Sequence, residues 1–160
     1  MKTLVAYFSL DGDTQLIAET IADSLKADIL NLEPVKPFPS EGFGKFFVGG
    51  MSVLFNKKPR LKNEDIDLRQ YDNIIIGSPV WAGSYSPPVN TFISKYRFTG
   101  KNVALFLCSG GGGVEKCFEK FRKELSGNNF LGEIDFIEPL KTDKTEACKT
   151  AVKWAESLSV

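Results

Sequence analysis

The sequence predicts an α/β domain of three layers, in which helices cover both faces of a parallel β-sheet. Short apolar runs rich in β-branched and aromatic residues recur along the chain, and turn residues bound each run. Between these runs lie segments whose apolar residues have helical spacing. Continuous apolar runs that alternate with helices are typical of parallel strands buried on both faces, which is why we predict this class.

The predicted elements alternate along the whole chain. Predicted strands cover residues 4–8, 28–33, 72–77, 102–107 and 133–138. Four segments between or after them have helical periodicity, carried by Leu16, Ile17, Thr20, Ile21 and Leu25, by Val89, Phe92, Ile93 and Tyr96, by Val114, Phe118, Phe121 and Leu125, and by Ala147, Ala151, Trp154 and Leu158. Right-handed βαβ units follow from this order.

Composition narrows the function classes. The 160 residues fit one domain, and the 20 basic residues balance the 20 acidic ones, so no strong field favours nucleic acid or an anionic membrane. Three cysteines without a CxxC pair favour a reducing, cytoplasmic location. The absence of histidine excludes hydrolases that use a histidine base. For the same reason we predict no metal site, and we expect a cofactor to supply any chemistry.

The loop at residues 9–14 follows the first predicted strand and begins a helix. Free N–H groups and the positive end of the dipole at a helix start favour a phosphate, and the hydroxyls of Ser9 and Thr14 add donors. The same residue types also suit an ordinary helix N-cap. Both interpretations remain open at this point.

Two further loops follow the third and fourth predicted strands. The loop at 77–88 places Trp81 in a glycine-flanked turn before a proline-started helix, and we predict an exposed ring that needs a flat partner. The loop at 108–113 contains four successive glycines, which permit close approach of backbone to a ligand or provide a flexible connection. Because parallel strands end at one edge, the three loops together predict a site for an aromatic mononucleotide.

These loops resemble those of the flavodoxin family, with SLDGDT, GSPVWAGSYSPPV and CSGGGG in the expected order over nearly the whole chain. The resemblance implies a five-stranded parallel sheet of order 2-1-3-4-5, the short form of the family, and noncovalent FMN used in electron transfer. It implies a phosphate site at Ser9, Leu10, Asp11, Gly12, Asp13 and Thr14. It implies a flavin ring site at Pro79, Val80, Trp81, Ala82, Gly83, Cys108, Ser109, Gly110, Gly111 and Gly112, with Trp81 against one face.

Two features depart from the family pattern. Asp11 and Asp13 stand where the family usually has a hydroxyl residue and asparagine, so two carboxylates flank a site for a dianion. The third loop lacks a tyrosine, which leaves the second flavin face open to a nicotinamide or a quinone. We interpret Cys108 as a small buried residue, and we assign no catalytic residue.

Three functions therefore follow as hypotheses. The first is an FMN electron carrier served by a redox partner protein. The second is an NAD(P)H- or quinone-dependent flavin oxidoreductase, and the third is a binding protein whose FMN affinity is weakened or lost through Asp11 and Asp13.

The segment from Pro34 to Leu61 is an insertion before the third strand. Its apolar stretch is too short to span a membrane and predicts an amphipathic lid on the core, with a cap over FMN or a dimer patch as alternatives. If the segment is a cap over FMN, Phe43, Phe46 or Phe47 would close the second flavin face. The aromatic residues at 43–55 favour self-association, so we expect either a monomer or a weak homodimer.

Overall fold

The computed structural model describes residues 1–38 and 57–160. Its strands are β1 (Thr3–Tyr7), β2 (Asp28–Asn31), β3 (Asn73–Trp81), β4 (Ser84–Tyr85), β5 (Asn102–Ser109) and β6 (Asn129–Ile137). Its helices are α1 (Asp13–Leu25), α2 (Pro87–Tyr96), α3 (Val114–Glu124) and α4 (Lys144–Ser157), with a 3₁₀ turn at Leu68–Gln70.

The main sheet has the order β2-β1-β3-β5-β6, and all its neighbouring strands are parallel. The short β4 pairs only with β3, in antiparallel orientation. Without β4 the five main strands, counted along the chain, have the order 2-1-3-4-5. The predicted three-layer flavodoxin-like fold and its strand order are therefore confirmed.

Alternate residues of each central strand enter two separate cores. In β1, Leu4 and Ala6 pack on the face covered by α2 and α3, whereas Val5 and Tyr7 pack on the face covered by α1 and α4. Both faces are apolar, so the strand appears in the sequence as one continuous apolar run.

Several predicted strand boundaries are wrong. The third strand continues from Gly77 to Trp81, because residues 78–81 extend into a hairpin with β4. The last strand begins at Asn129, four residues earlier than predicted, and pairs with β5 through a register shift at Val103 and Ala104. The second strand is an edge strand that ends at Asn31, because only β1 pairs with it.

The two ends of the insertion are joined by backbone pairing. Pro34 and Leu61 form an antiparallel bridge, and the Val35 N–H donates to the Arg60 carbonyl over 2.8 Å. The predicted lid, the cap by Phe43, Phe46 or Phe47 and the dimer patch at 43–55 lie outside the described residues. Within residues 1–38 and 57–160, no helix is long and apolar enough to cross a membrane.

Candidate functional site

The three loops meet at the carboxyl edge of the sheet, around a cavity of about 240 Å³. The cavity is lined by Leu10, Asp11, Asp13, Pro79, Val80, Trp81, Cys108, Ser109, Gly110 and Glu138. All but one of these residues are among those that the sequence predicts. The predicted residues that do not line the cavity are Ser9, Gly12, Thr14, Ala82, Gly83, Gly111 and Gly112.

Glu138 is the lining residue that sequence reasoning missed. It follows β6 directly, and its φ of +39° turns the chain sharply toward the cavity. The signal was available, because β6 ends at the same sheet edge as the other parallel strands. The turn after β6 is thus a fourth loop of the site.

Side-chain oxygens already bond part of the α1 start. Ser9 Oγ accepts from the Gly12 N–H at 3.1 Å, and Asp11 Oδ1 accepts from the Asp13 N–H at 3.2 Å. The N–H groups of Thr14 and Gln15 lie in the first turn, where no intrahelical acceptor exists. The helix start is thus capped in part and keeps free donors.

The Thr14 hydroxyl is fully buried beside these free donors. Its oxygen has no hydrogen-bond partner among the described residues. The Cys108 thiol lies next to it, but the two groups do not meet in hydrogen-bond geometry. Burying a polar group without a partner costs free energy, so this hydroxyl needs an explanation.

Cys108 is a buried, neutral thiol, which agrees with its interpretation from the sequence as a small buried residue. It is 4% exposed, and burial raises its pKa to about 12, against the opposing effect of the adjacent Thr14 hydroxyl and with Asp13 and Asp11 adding to the rise. The thiolate form is therefore scarce at neutral pH, and the residue is a cavity wall without nucleophilic character.

Asp13 connects the α1 start to the fourth loop. The residue is buried, and its Oδ1 accepts the Leu140 N–H at 2.9 Å. Burial raises the pKa of this carboxyl, and the nearby Asp11 and Glu138 raise it further, against the Leu140 N–H and Lys141. The carboxyl thus holds the turn after β6 against the cavity.

Trp81 is buried, so the predicted exposed ring is wrong. Only 3% of the residue is exposed, and its ring meets Phe8 and Phe38 edge-on, with centroids 5.8 and 5.3 Å away. The two phenylalanines remove the tryptophan from solvent, while the residue still contributes to the cavity wall. Its contact with a flavin face stays a prediction.

The turn between β3 and β4 carries two left-handed residues. Ala82 has φ of +47° and Gly83 has φ of +75°, between the pairs Val80–Tyr85 and Trp81–Ser84. Two-residue hairpins of type I′ require this conformation at both central positions. Ala82 therefore holds a conformation that costs an L-residue roughly 1 kcal/mol.

Replacing Ala82 with glycine is expected to stabilise the ligand-free protein by about 0.5 kcal/mol, because relief of the left-handed strain exceeds the added chain entropy. Thermal and urea unfolding measure the change. The matched variant Gly83→Ala, at the neighbouring left-handed position, is expected to destabilise. A lower stability for Ala82→Gly would contradict the assigned turn.

The hairpin tip rests directly on the start of α3. A Cβ on Gly113 would lie 2.9 Å from Gly83 Cα, so only glycine permits this backbone contact. Lys120 Nζ also donates to Ser84 Oγ over 2.8 Å. Tyr85 packs on Phe121 in the core, with ring centroids 4.4 Å apart. The contacts with α3 and with the glycine before it therefore hold the hairpin tip in place.

The remaining glycines of the third loop face open space. A Cβ built on Gly110, Gly111 or Gly112 would meet no atom within 4 Å, and all three residues are exposed. Packing within the described chain gives no reason for these glycines. Gly111 has a φ of +106°, which itself favours glycine, whereas close approach of a ligand or backbone flexibility remains as the explanation for Gly110 and Gly112.

A second, larger cavity lies along α4. It measures about 570 Å³ and is lined by Lys144, Thr145, Cys148, Lys149, Val152 and Lys153. All of these residues belong to α4. It shares no lining residue with the cavity at the sheet edge.

Comparison with known proteins identifies the family. The family model described as flavodoxin matches residues 2–145, which is most of the chain. The chain belongs to the flavodoxin family. This membership agrees with the parallel sheet and the cavity at its carboxyl edge.

Individual relatives agree with this flavodoxin membership. An uncharacterized protein of Methanocaldococcus jannaschii is 30% identical over 138 residues, which cover 84% of this chain and 73% of that protein. The crystal structure of a Lactobacillus acidophilus flavoprotein in complex with FMN has a TM-score of 0.72 at 27% identity, covering 89% of this chain and 97% of that one. The crystal structure of a flavoprotein from Bacteroides eggerthii has a TM-score of 0.79 at 27% identity, covering 99% of this chain and 98% of that one.

Proposed function

We propose that this protein binds FMN at the carboxyl edge of the sheet and uses it to carry electrons. The observation that supports this most is the buried Thr14 hydroxyl, which has no partner and lies at a helix start with free N–H donors. Such a donor set fits a phosphate, because the helix dipole and the N–H groups both favour an anion.

The rest of the site fits a flat aromatic ring. Pro79, Val80 and Trp81 give the cavity an apolar wall, and the exposed glycines at 110–112 leave room along the opposite loop. The cavity volume of about 240 Å³ is below the roughly 300 to 1,000 Å³ of common ligand sites. A flavin would therefore extend past the cavity along the glycine loop. The FMN in the Lactobacillus relative supports the same cofactor here.

The acidic side chains of the site each have a hydrogen-bond or ion-pair donor, although only Glu138 has a cation. Asp11 Oδ1 is bonded to the Asp13 N–H, and Asp13 Oδ1 is bonded to the Leu140 N–H. Glu138 forms an ion pair with Lys141 over 2.6 Å. Because each carboxylate has a donor of its own, we favour retained FMN binding over a fold that has lost it.

FMN, when bound, supplies one-electron and two-electron redox chemistry. The described side chains position the ring and exclude water from the apolar wall. The hairpin tip at Ala82 and Gly83 lies beside this wall, and its left-handed backbone fixes which way its peptide groups point. We assign no acid or base to the electron transfer itself.

A basic cavity beside the hairpin favours a second candidate, an NAD(P)H-dependent flavin oxidoreductase. This cavity measures about 440 Å³ and is lined by Ala82, Gly83, Ser84, Lys116, Glu119, Lys120 and Lys123. Three lysines against one carboxylate suit the phosphates of a dinucleotide. In this second candidate the nicotinamide would approach the flavin from the hairpin side.

Titration of stripped protein into FMN, followed by flavin fluorescence at neutral pH, tests the proposal. We expect saturation at one FMN per chain. Reduction by NADPH then separates the two candidates, because a carrier reacts no faster than free FMN, whereas an oxidoreductase reacts faster and is slowed by Lys116→Gln. Unchanged fluorescence at micromolar protein would contradict FMN binding.

A further inference from the structure

Asp13 puts a buried carboxylate at the helix start where the phosphate would bind. The residue is 7% exposed, is the first residue of α1 and lines the cavity. Its Oδ1 accepts the Leu140 N–H at 2.9 Å, which ties the carboxyl to the turn after β6. This bond fixes the position of the carboxyl in the cavity wall.

The charged surroundings of Asp13 are mostly negative. Asp11 faces it from the β1–α1 loop, Glu138 and Lys141 face it from the turn after β6, and the neutral Cys108 thiol faces it from β5. Lys141 is paired with Glu138, and within the described residues no cation forms an ion pair with Asp13. A phosphate would thus add negative charge to a carboxylate that has no cation of its own.

We propose that Asp13 is a specificity-determining residue that couples the binding of the FMN phosphate to the uptake of one proton from solvent. This inference rests on the proposed function. The proton forms an O–H bond on the Asp13 carboxylate, so the carboxyl becomes neutral and the repulsion between it and the phosphate is removed. The neutral carboxyl also gains a donor that the carboxylate lacks.

Riboflavin provides the comparison, because it carries the same ring without the phosphate. Its binding adds no charge near Asp13 and takes up no proton. The preference of the site for FMN over riboflavin therefore increases as the pH falls. The neutral amide of Asp13→Asn can still accept the Leu140 N–H, so this variant removes the charge and keeps the tether.

Binding constants of FMN and riboflavin between about pH 5.5 and about pH 8 test the proposal, with flavin fluorescence as the readout. We expect the FMN-to-riboflavin affinity ratio of the wild type to fall by about a hundredfold or more over this range, close to one decade per pH unit, and that of Asp13→Asn to change by less than about threefold. Asp135→Asn removes an exposed carboxylate outside the cavity and is expected to keep the wild-type dependence.

Calorimetry in two buffers of different ionisation enthalpy counts the protons directly in the wild type. Uptake of close to one proton per FMN that is absent in Asp13→Asn supports the proposal. Zero uptake by the wild type overturns it. An equal pH dependence in Asp13→Asn also overturns it, because the ionisation of the FMN phosphate itself would then be the cause. Failure of all variants to bind FMN at any pH would overturn the proposed function as well.

Discussion

Replacing Gly77 with alanine is expected to lower the free energy of unfolding by about 3 kcal/mol, at the upper end of overpacking effects. Gly77 lies in β3 between Tyr7 of β1 and Phe106 of β5. An added Cβ would lie 2.0 Å from Phe106 Cζ. The glycine makes room for the phenyl ring across the centre of the sheet.

The ring cannot leave this position, because Phe106 has no exposed surface and packs among α1 and α4. The clash must therefore shift β3, whose continuation provides the Pro79, Val80 and Trp81 wall. Urea unfolding of the ligand-free protein measures the loss. Weaker FMN binding is the expected second effect.

The double variant Gly77→Ala with Phe106→Leu is the control for this prediction. The smaller leucine leaves space for the new methyl group, so the double variant is expected to be more stable than the sum of the single effects predicts. If the free energy of unfolding of Gly77→Ala were within about 1 kcal/mol of the wild-type value, the close contact between Gly77 and the Phe106 ring would be contradicted.

Replacing Thr14 with valine is expected to stabilise the ligand-free protein and to weaken FMN binding. The valine keeps the branched shape and removes a buried oxygen without a partner, which costs about 1 to 3 kcal/mol. We therefore expect a gain of about 1 kcal/mol in the free energy of unfolding. A hydrogen bond to a charged phosphate is worth roughly 1.5 to 3 kcal/mol, so FMN affinity should fall by about tenfold to a hundredfold.

Thr20→Val is the matched control on the same helix. Thr20 Oγ1 donates to the Leu16 carbonyl over 2.8 Å, so its hydroxyl already has a partner. This variant is expected to leave FMN affinity unchanged and to bring no gain in stability. If Thr14→Val lowered stability by more than about 1 kcal/mol, the hydroxyl would have a protein partner and the phosphate assignment would lose its main support.

The fold was predictable because periodicity reports burial directly. Residues 74–76 and 103–107 are apolar on both faces, as buried parallel strands require, and the sheet order followed from the family resemblance. The hairpin was missed because β4 has only two residues, Ser84 and Tyr85, too few for a pattern. Its turn is Ala82–Gly83, which lacks the usual Asn-Gly or Asp-Gly signal.

The site was predictable in its place and less so in its detail. The loops meet because strand direction decides which edge they share. The burial of Trp81 depends on Phe8 and Phe38, whose contacts with it are long-range and leave no local signal. The hydrogen bond between Asp13 and the Leu140 N–H also joins distant parts of the chain. The sequence therefore showed the charge of Asp13 but not this hydrogen bond.

Amide chemical shifts during FMN titration test most directly where the ligand binds. We expect the shifts to concentrate at Thr14, Ala82 and residues 110–112, around the cavity at the carboxyl edge of the sheet. The larger cavity along α4, about 570 Å³ and lined by Thr145, Cys148 and Val152, provides the alternative. Shifts confined to α4, or no shifts at all, would contradict FMN binding at the carboxyl edge of the sheet.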